Sequence, residues 1–266
     1  MKNLTKMFVF SILAVFLTAG SALALDLGTN ITIPDLVNSG SGWWSDREDS
    51  EVEPNCVTDQ RWDLEGFFLK GKTLTMVGGY NFSAGYGGYT TGDIFFDTTG
   101  DAQYGPGTGG GSGNSTVLST FGYEYALSLD FGSGQYTLYE LDADTTTVNV
   151  FYGQNDESNP WTYNDGGEVV GTGGFTFHNG LADADVAGLS GLNPDGTTWY
   201  QHYAIEFDLD FLGSETDFIA HYTYQCGNDN LMGSGTTPVP EPATMLLLGT
   251  GLIGMAGLVR KKFMEG

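Results

Sequence analysis

The pattern of apolar and polar positions divides the chain into a long middle with a period of two and two continuous apolar runs at its ends. In the middle, Tyr123, Tyr125, Leu127, Leu129 and Phe131 alternate with Glu124, Ala126, Ser128 and Asp130. Tyr203, Ile205, Phe207, Leu209 and Phe211 alternate in the same way with His202, Ala204, Glu206, Asp208 and Asp210. Successive side chains of a strand point to opposite faces, so this alternation predicts strands with one buried and one wet face. Shorter runs predict further strands near 66–69, 73–77, 93–96, 135–141, 147–152, 174–178 and 217–226. Turn chemistry separates them at Phe131 to Gly134, Asn164 to Gly167 and Asn193 to Gly196. No long amphipathic helix is predicted; Leu181 to Leu189 has the pattern of a turn or two. The fold class is therefore all-β, a single antiparallel β-sandwich or jelly-roll-like domain. Gly78 to Gly92, rich in Gly and Tyr, and Gly105 to Ser115 are low in complexity, the second being a flexible loop. There is no regular internal repeat, which argues against a solenoid or propeller.

The two apolar runs have the layout of targeting segments. At the start, Lys2 and Lys6 precede the run Phe8 to Leu17, and Ala22 and Ala24 form a small-x-small cleavage site, so residues 1–24 read as a secretory signal peptide. At the end, Ala243 to Val259 is a 17-residue apolar stretch closed by Arg260, Lys261 and Lys262. That length is at the lower limit for a transmembrane helix, and the basic cluster predicts a cytoplasmic end. The expected organisation is a signal peptide at 1–24, an acidic all-β domain at 25–230, a linker at 231–237 and a tail at 238–266.

Charge narrows the partners. The chain has 33 acidic and 9 basic residues, a formal net charge of −24. Five of the basic residues lie in the end segments, leaving Arg47, Arg61, Lys70 and Lys72 in the body. So acidic a body repels nucleic acid and anionic membrane, and favours divalent cations such as calcium. The two cysteines, Cys56 and Cys226, suggest a disulfide in an exported protein. Joined, they would close a loop of about 170 residues, a constraint of about 5 kcal/mol; two separate buried thiols are the alternative.

Val239, Pro240, Glu241 and Pro242, then the apolar segment with its glycines, then the Arg/Lys cluster, together resemble the sorting signal of the PEP-CTERM family. The resemblance implies export, transit of the inner membrane of a Gram-negative bacterium, and removal of the tail by an exosortase after signal peptidase has acted at the other end. Three body segments, Ser158 to Tyr163, His202 to Asp208 and Ala220 to Met232, are similar to stretches of exosortase-dependent surface proteins. The resemblance implies an address rather than a reaction.

Candidate chemistry is sparse. Asp93, Asp97 and Asp101 are spaced by four residues and offer oxygens for calcium, without the EF-hand pattern. Asp142 and Asp144 form a second acidic pair. His178, His202 and His221 are the only histidines, and their strand positions point to polar strand residues rather than zinc ligands; His202 is expected on the wet face and His221 away from the core. No nucleophile elbow, zincin helix or phosphate loop is present, so no catalytic residues are assigned and the expectation is a non-enzyme. Trp43 and Trp44, with Trp161, Trp199 and the tyrosines of 78–89, are candidate platforms for sugar rings, against the alternative that such rings fill the core. The expected function is a structural or adhesive protein of the cell surface or exopolysaccharide matrix. A calcium-assisted, lectin-like module is the alternative, and a secreted hydrolase the remote one.

Overall fold

The computed structural model describes residues 24–33, 52, 56–103, 113–189 and 201–239. Thirteen strands are formed among them: β1 (Thr29–Asn30), β2 (Leu64–Lys70), β3 (Thr73–Gly78), β4 (Thr91–Asp97), β5 (Thr116–Leu118), β6 (Tyr125–Asp130), β7 (Gln135–Glu140), β8 (Thr146–Val148), β9 (Thr162–Asp165), β10 (Glu168–Leu181), β11 (His202–Asp208), β12 (Asp217–Tyr224) and β13 (Asn230–Thr236). Every pairing is antiparallel. Ten strands make one sheet in the order β1-β2-β3-β11-β10-β7-β6-β4-β12-β13, and β5-β8-β9 make a small second sheet.

The large sheet closes on itself. Ile31 donates its N–H to Phe67 O on β2 at 2.9 Å, while its own carbonyl accepts Ser234 N–H of β13 at 2.8 Å. Thr32 bridges Gly233, and Ile33 N–H donates to Met232 O at 2.8 Å. One short segment thus pairs with both ends of the sheet, and closure removes the exposed edges an open sheet would present. The antiparallel all-β expectation holds, with a single curled sheet supplying both walls of the core.

Alternation fills the interior. β12 sends Phe218, Ala220, Tyr222 and Tyr224 inward, β4 sends Ile94 and Phe96, and β3 sends Leu74 and Met76. Gly233 faces Phe67, and a side chain there would come within 2.9 Å of that ring. The glycines of β13 make room for aromatic rings from neighbouring strands.

The outer face is covered twice. The small sheet lies over β4 and β6, where Phe95, Phe121, Tyr123 and Ala126 form a second cluster with Val117 and Tyr163 against it. A strap at 181–189, with its 3-10 turn at Asp183–Asp185, packs Val186 with Leu27, Phe68, Val77 and Ala204.

Two expectations are corrected. Residues 231–237, expected as a linker, form most of β13, because Gly233 and Gly235 face the rings of Phe67 and Phe218 on neighbouring strands. The Gly/Tyr-rich stretch 78–92 keeps its low-complexity reading and adds to the core, burying Tyr80 and Phe82 completely. The expected strand near 147–152 ends at Val148, after which the chain leaves the small sheet.

The barrel has two distinguishable poles. β12 runs from Asp217 to Tyr224 and β13 returns from Asn230 to Thr236, so both ends of this hairpin stem lie near Thr237, whose carbonyl accepts Glu215 N–H at 3.0 Å. Asp26 pairs with Lys70 at the same pole. The body therefore enters and leaves at one pole. The turn 225–229 lies at the other, about 25 Å away at the usual rise per strand residue.

Candidate ligand-binding pole

The far pole is built by hydrogen bonds between segments distant in sequence. The turn 225–229 is their anchor. Phe151 N–H donates to Gln225 O at 2.7 Å, Asn155 Nδ2 to Cys226 O at 3.3 Å and Ser158 Oγ to Gly227 O at 3.2 Å. Asn228 Oδ1 accepts Val57 N–H at 2.8 Å, and its Nδ2 donates to Val57 O at 2.9 Å. Asp229 Oδ2 accepts Leu64 N–H at 2.6 Å. Asn159 Oδ1 accepts Val150 N–H at 2.8 Å, and Ser158 and Asn159 are fully buried. Gly227 takes φ of +67°, and a side chain on it would meet Val150 at 2.9 Å. Satisfied buried polar groups of this kind fix one arrangement of the segments they join. The structure brings Ser158 to Tyr163 together with Ala220 to Met232; His202 to Asp208 lies on β11 and takes no part.

On this base stands a chain of aromatic rings that runs from core to solvent. Tyr80 stacks on Tyr224 with centroids 4.3 Å apart, Trp62 follows at 5.5 Å from Tyr224, and Tyr86 meets Trp62 edge-on at 4.8 Å. Tyr89 links Trp62 to Phe151 and Tyr152, at 6.1 and 6.0 Å from the latter two rings. Phe151 and Tyr152 stand perpendicular, 5.0 Å apart, and are 42% and 39% exposed. The hydroxyls of Tyr89 and Tyr152 lie 2.8 Å apart. That hydrogen bond, with some burial, pushes the Tyr89 hydroxyl up to about 12. Arg61 lies over the Tyr86 ring, 4.5 Å from its centroid, and forks onto the Asp59 carboxylate, with Nε at 2.7 Å from Oδ1. The 3-10 turn Gln60–Trp62, capped by Asp59 through Arg61 N–H, positions both Arg61 and Trp62.

Sequence reading missed Trp62, Phe151 and Tyr152. Trp62 lies outside any periodic run, and Phe151-Tyr152 reads as the end of a strand; only adjacency of two large aromatics, which cannot both face one side of a strand, marks the pair. Tyr80 is core, Tyr86 and Tyr89 are half-buried at the ledge, and Trp161 is half-buried with its Nε1–H on Thr91 O at 3.0 Å. Trp43, Trp44 and Trp199 lie outside the described residues.

The carboxylates expected to gather do so only in part. Asp97 and Asp101 approach Glu124, with one oxygen of each within 4.8 Å of the others. Asp93 points elsewhere on the covered face, where it accepts Tyr163 N–H at 2.8 Å, and burial pushes its carboxyl up. Asp97 already accepts Thr99 N–H and Gly100 N–H on Oδ1 and Ala102 N–H on Oδ2, all within 2.8 Å. Its position is explained by closing the turn after β4. Asp142 likewise caps its own turn through Thr145.

The histidines are separate. His178 Nε2 lies 2.7 Å from Glu206 Oε2. His202 and His221 are on the outward face of their strands, as their phase predicts, yet both are fully buried: the strap covers one and the small sheet the other. The wet environment expected for His202 is corrected by that strap. The disulfide is corrected as well. Among the described residues no disulfide joins them: Cys56 is half-buried and Cys226 buried, with Asn155 between them, and Cys56 Sγ donates to Asn155 Oδ1 at 3.2 Å while Asn155 Nδ2 holds Cys226 O.

At the exit pole the chain passes through Thr237 and Pro238 to an exposed Val239. The family model for the PEP-CTERM protein-sorting motif matches residues 238–261, directly after β13. The chain carries a PEP-CTERM sorting motif. The motif implies exosortase-dependent export, with membrane transit followed by sorting to the surface or matrix. Of the motif, Pro240, Glu241, Pro242, Arg260, Lys261 and Lys262 lie outside the described residues, as does Ala22 of the expected signal cleavage site; Ala24 is exposed. Among the described residues no helix is long and apolar enough to cross a membrane. No curated protein and no solved structure matches the chain.

Proposed function

We propose that this chain is a structural or adhesive component of a Gram-negative cell surface or exopolysaccharide matrix, trimmed by signal peptidase and an exosortase, with no catalysis of its own. The observation that carries the reading is the sorting motif at 238–261. The geometry supports it: the body enters and leaves at one pole, so a molecule retained through the end left after trimming would present the opposite pole outward. A closed barrel also suits an exterior setting, because it offers no long sheet edge for aggregation. A carbohydrate-binding module is the second reading, favoured by the exposed aromatic ledge at that outward pole.

Expression of the full chain in an exosortase-bearing host tests the reading. Wild-type protein is expected at the surface or in the matrix, lacking residues 1–24 and the tail by intact mass. Glu241→Ala is expected to keep the tail and stay with the membrane fraction. Cytosolic protein retaining both end segments would overturn it.

A further inference from the structure

We infer that the ledge formed by Trp62, Tyr86, Tyr89, Phe151 and Tyr152 is a binding site for an uncharged polysaccharide, engaged through the carbon–hydrogen faces of its pyranose rings. The inference deepens the carbohydrate-binding reading above, and that reading supplies only where such a polymer is met.

Four observations carry it. The first is shape. Phe151 and Tyr152 stand at 90° with centroids 5.0 Å apart, so they make a corner in which one ring offers its face and the other bounds the edge of a flat ligand. Two large rings side by side, 42% and 39% exposed, form one paired apolar surface rather than scattered residues, and Val57, 60% exposed, is held to the 225–229 turn through Asn228.

The second is rigidity. Each exposed ring is backed by another, from Tyr152 through Tyr89 and Trp62 to the fully buried Tyr224 and Tyr80. Phe151 is pinned by its N–H to Gln225 O. A platform already held in place loses little freedom when a ligand arrives.

The third is the chemistry of the rim. The Tyr89 and Tyr152 hydroxyls and the Asp59–Arg61 fork border the rings. Hydroxyl-rich ligands need both donors and acceptors beside an apolar face, and this rim supplies both.

The fourth is charge. With 33 acidic and 9 basic residues, the chain repels polyanions, which points to neutral sugar rather than uronic-acid or sulfated polymers. Arg61, the one guanidinium at the ledge among the described residues, is already paired with Asp59.

Exported, processed protein would be mixed with insoluble cellulose and chitin and titrated with cellohexaose and chitohexaose, following tryptophan and tyrosine fluorescence; polygalacturonate serves as the polyanion. Retention on at least one neutral polymer and none on polygalacturonate is expected. Tyr152→Ala and Phe151→Ala should each weaken binding by about tenfold, and Val169→Ala, an exposed apolar residue on β10, should leave it unchanged. Thermal melts of each variant separate lost binding from lost fold, and Tyr152→Ser repeats the test if an alanine variant unfolds. No binding to any neutral polymer, equal binding to polygalacturonate, or binding indifferent to a folded Tyr152 variant would overturn the inference. Correct surface sorting alongside any of these results would leave the localisation reading standing.

Discussion

His202 Nδ1 lies 2.7 Å from Glu65 Oε2, and both side chains are shut off from solvent. The other ring nitrogen is 3.1 Å from Asp183 Oδ1, and Glu65 Oε1 accepts Gln60 Nε2–H at 3.0 Å. A ring facing two carboxylates donates from both nitrogens, so it is an imidazolium. Burial pulls its proton affinity down, but the hydrogen bonds and charges of Glu65 and Asp183 prevail and hold it above the ordinary value of 6.5. A base raised in the folded state gives stability that is full below the unfolded value and lost as pH rises through the folded one. Asp185 on the same strap is engaged with Ala182 N–H and adds to the negative surroundings. The strap should therefore loosen as pH rises beyond the ordinary imidazole value, a change to be read by comparing pH 6 with pH 9. His202→Gln is expected to cost about 3 kcal/mol at pH 6, since it leaves Glu65 buried without its cation. The variant should also flatten the alkaline slope. Urea melts at the two pH values check this, and an unchanged slope in the variant would refute the assignment.

His221 carries the opposite sign. Its Nε2–H donates to Pro160 O at 3.0 Å, its ring stacks on Tyr123 at 5.6 Å, and burial pushes it down to about 4. A buried neutral histidine resists protonation that the unfolded chain accepts, so stability falls as pH drops from 6.5 towards 4. The loss is about 3 kcal/mol over that interval, at about 1.4 kcal/mol per pH unit. His221→Gln, which retains an N–H donor, should lessen this acid sensitivity while lowering stability at neutral pH. A variant with the wild-type acid profile would count against the account.

These two histidines also show what the sequence carries and what it does not. Alternation along 202–211 and 217–226 placed both on the outward face, which is correct. Period-two patterning says which face a residue takes and nothing about what lies over that face. The strap and the small sheet are short, irregular and weakly patterned, so the burial they impose was not legible. β13 was hidden for a related reason: its Gly-rich stretch read as a linker, and only the rings of Phe67 and Phe218 opposite Gly233 and Gly235 explain those glycines. At the far pole, Tyr80 and Phe82 looked like part of a low-complexity stretch, whereas Trp62, Phe151 and Tyr152 belong to no periodic run. Their meeting depends on contacts between segments about 90 and 160 residues apart, which no local window contains.

The cysteines offer a direct chemical check. Burial pushes the Cys226 thiol up to about 11, while Cys56 is half-buried with its S–H on Asn155. Alkylation requires thiolate and access. Native protein treated with iodoacetamide at pH 8 should therefore be labelled at Cys56 first, and at Cys226 only after denaturation. Peptide mass mapping with and without urea reads this out. A gain of about two daltons on reduction, with neither thiol labelled beforehand, would instead reveal a bridge.

The seam of the barrel should be its most sensitive backbone site. Ile31 gives its N–H to Phe67 O and its carbonyl to Ser234, while Thr32 Oγ1 accepts Phe67 N–H at 3.0 Å. Closure therefore rests on a few consecutive residues rather than on a long strand pair, since β1 has only two residues in regular pairing. Ile31→Pro deletes the N–H that holds β2, at an expected cost of about 3 kcal/mol. Removing residues 25–33 should do more, because it strips the same bonds, uncovers Phe68 by taking away Leu27, and leaves β2 and β13 as free edges. The expected readouts are a lower urea midpoint for Ile31→Pro and concentration-dependent association of the truncated protein on size exclusion. A truncated protein that stays monomeric with the wild-type midpoint would show that β2 and β13 hold together without this segment.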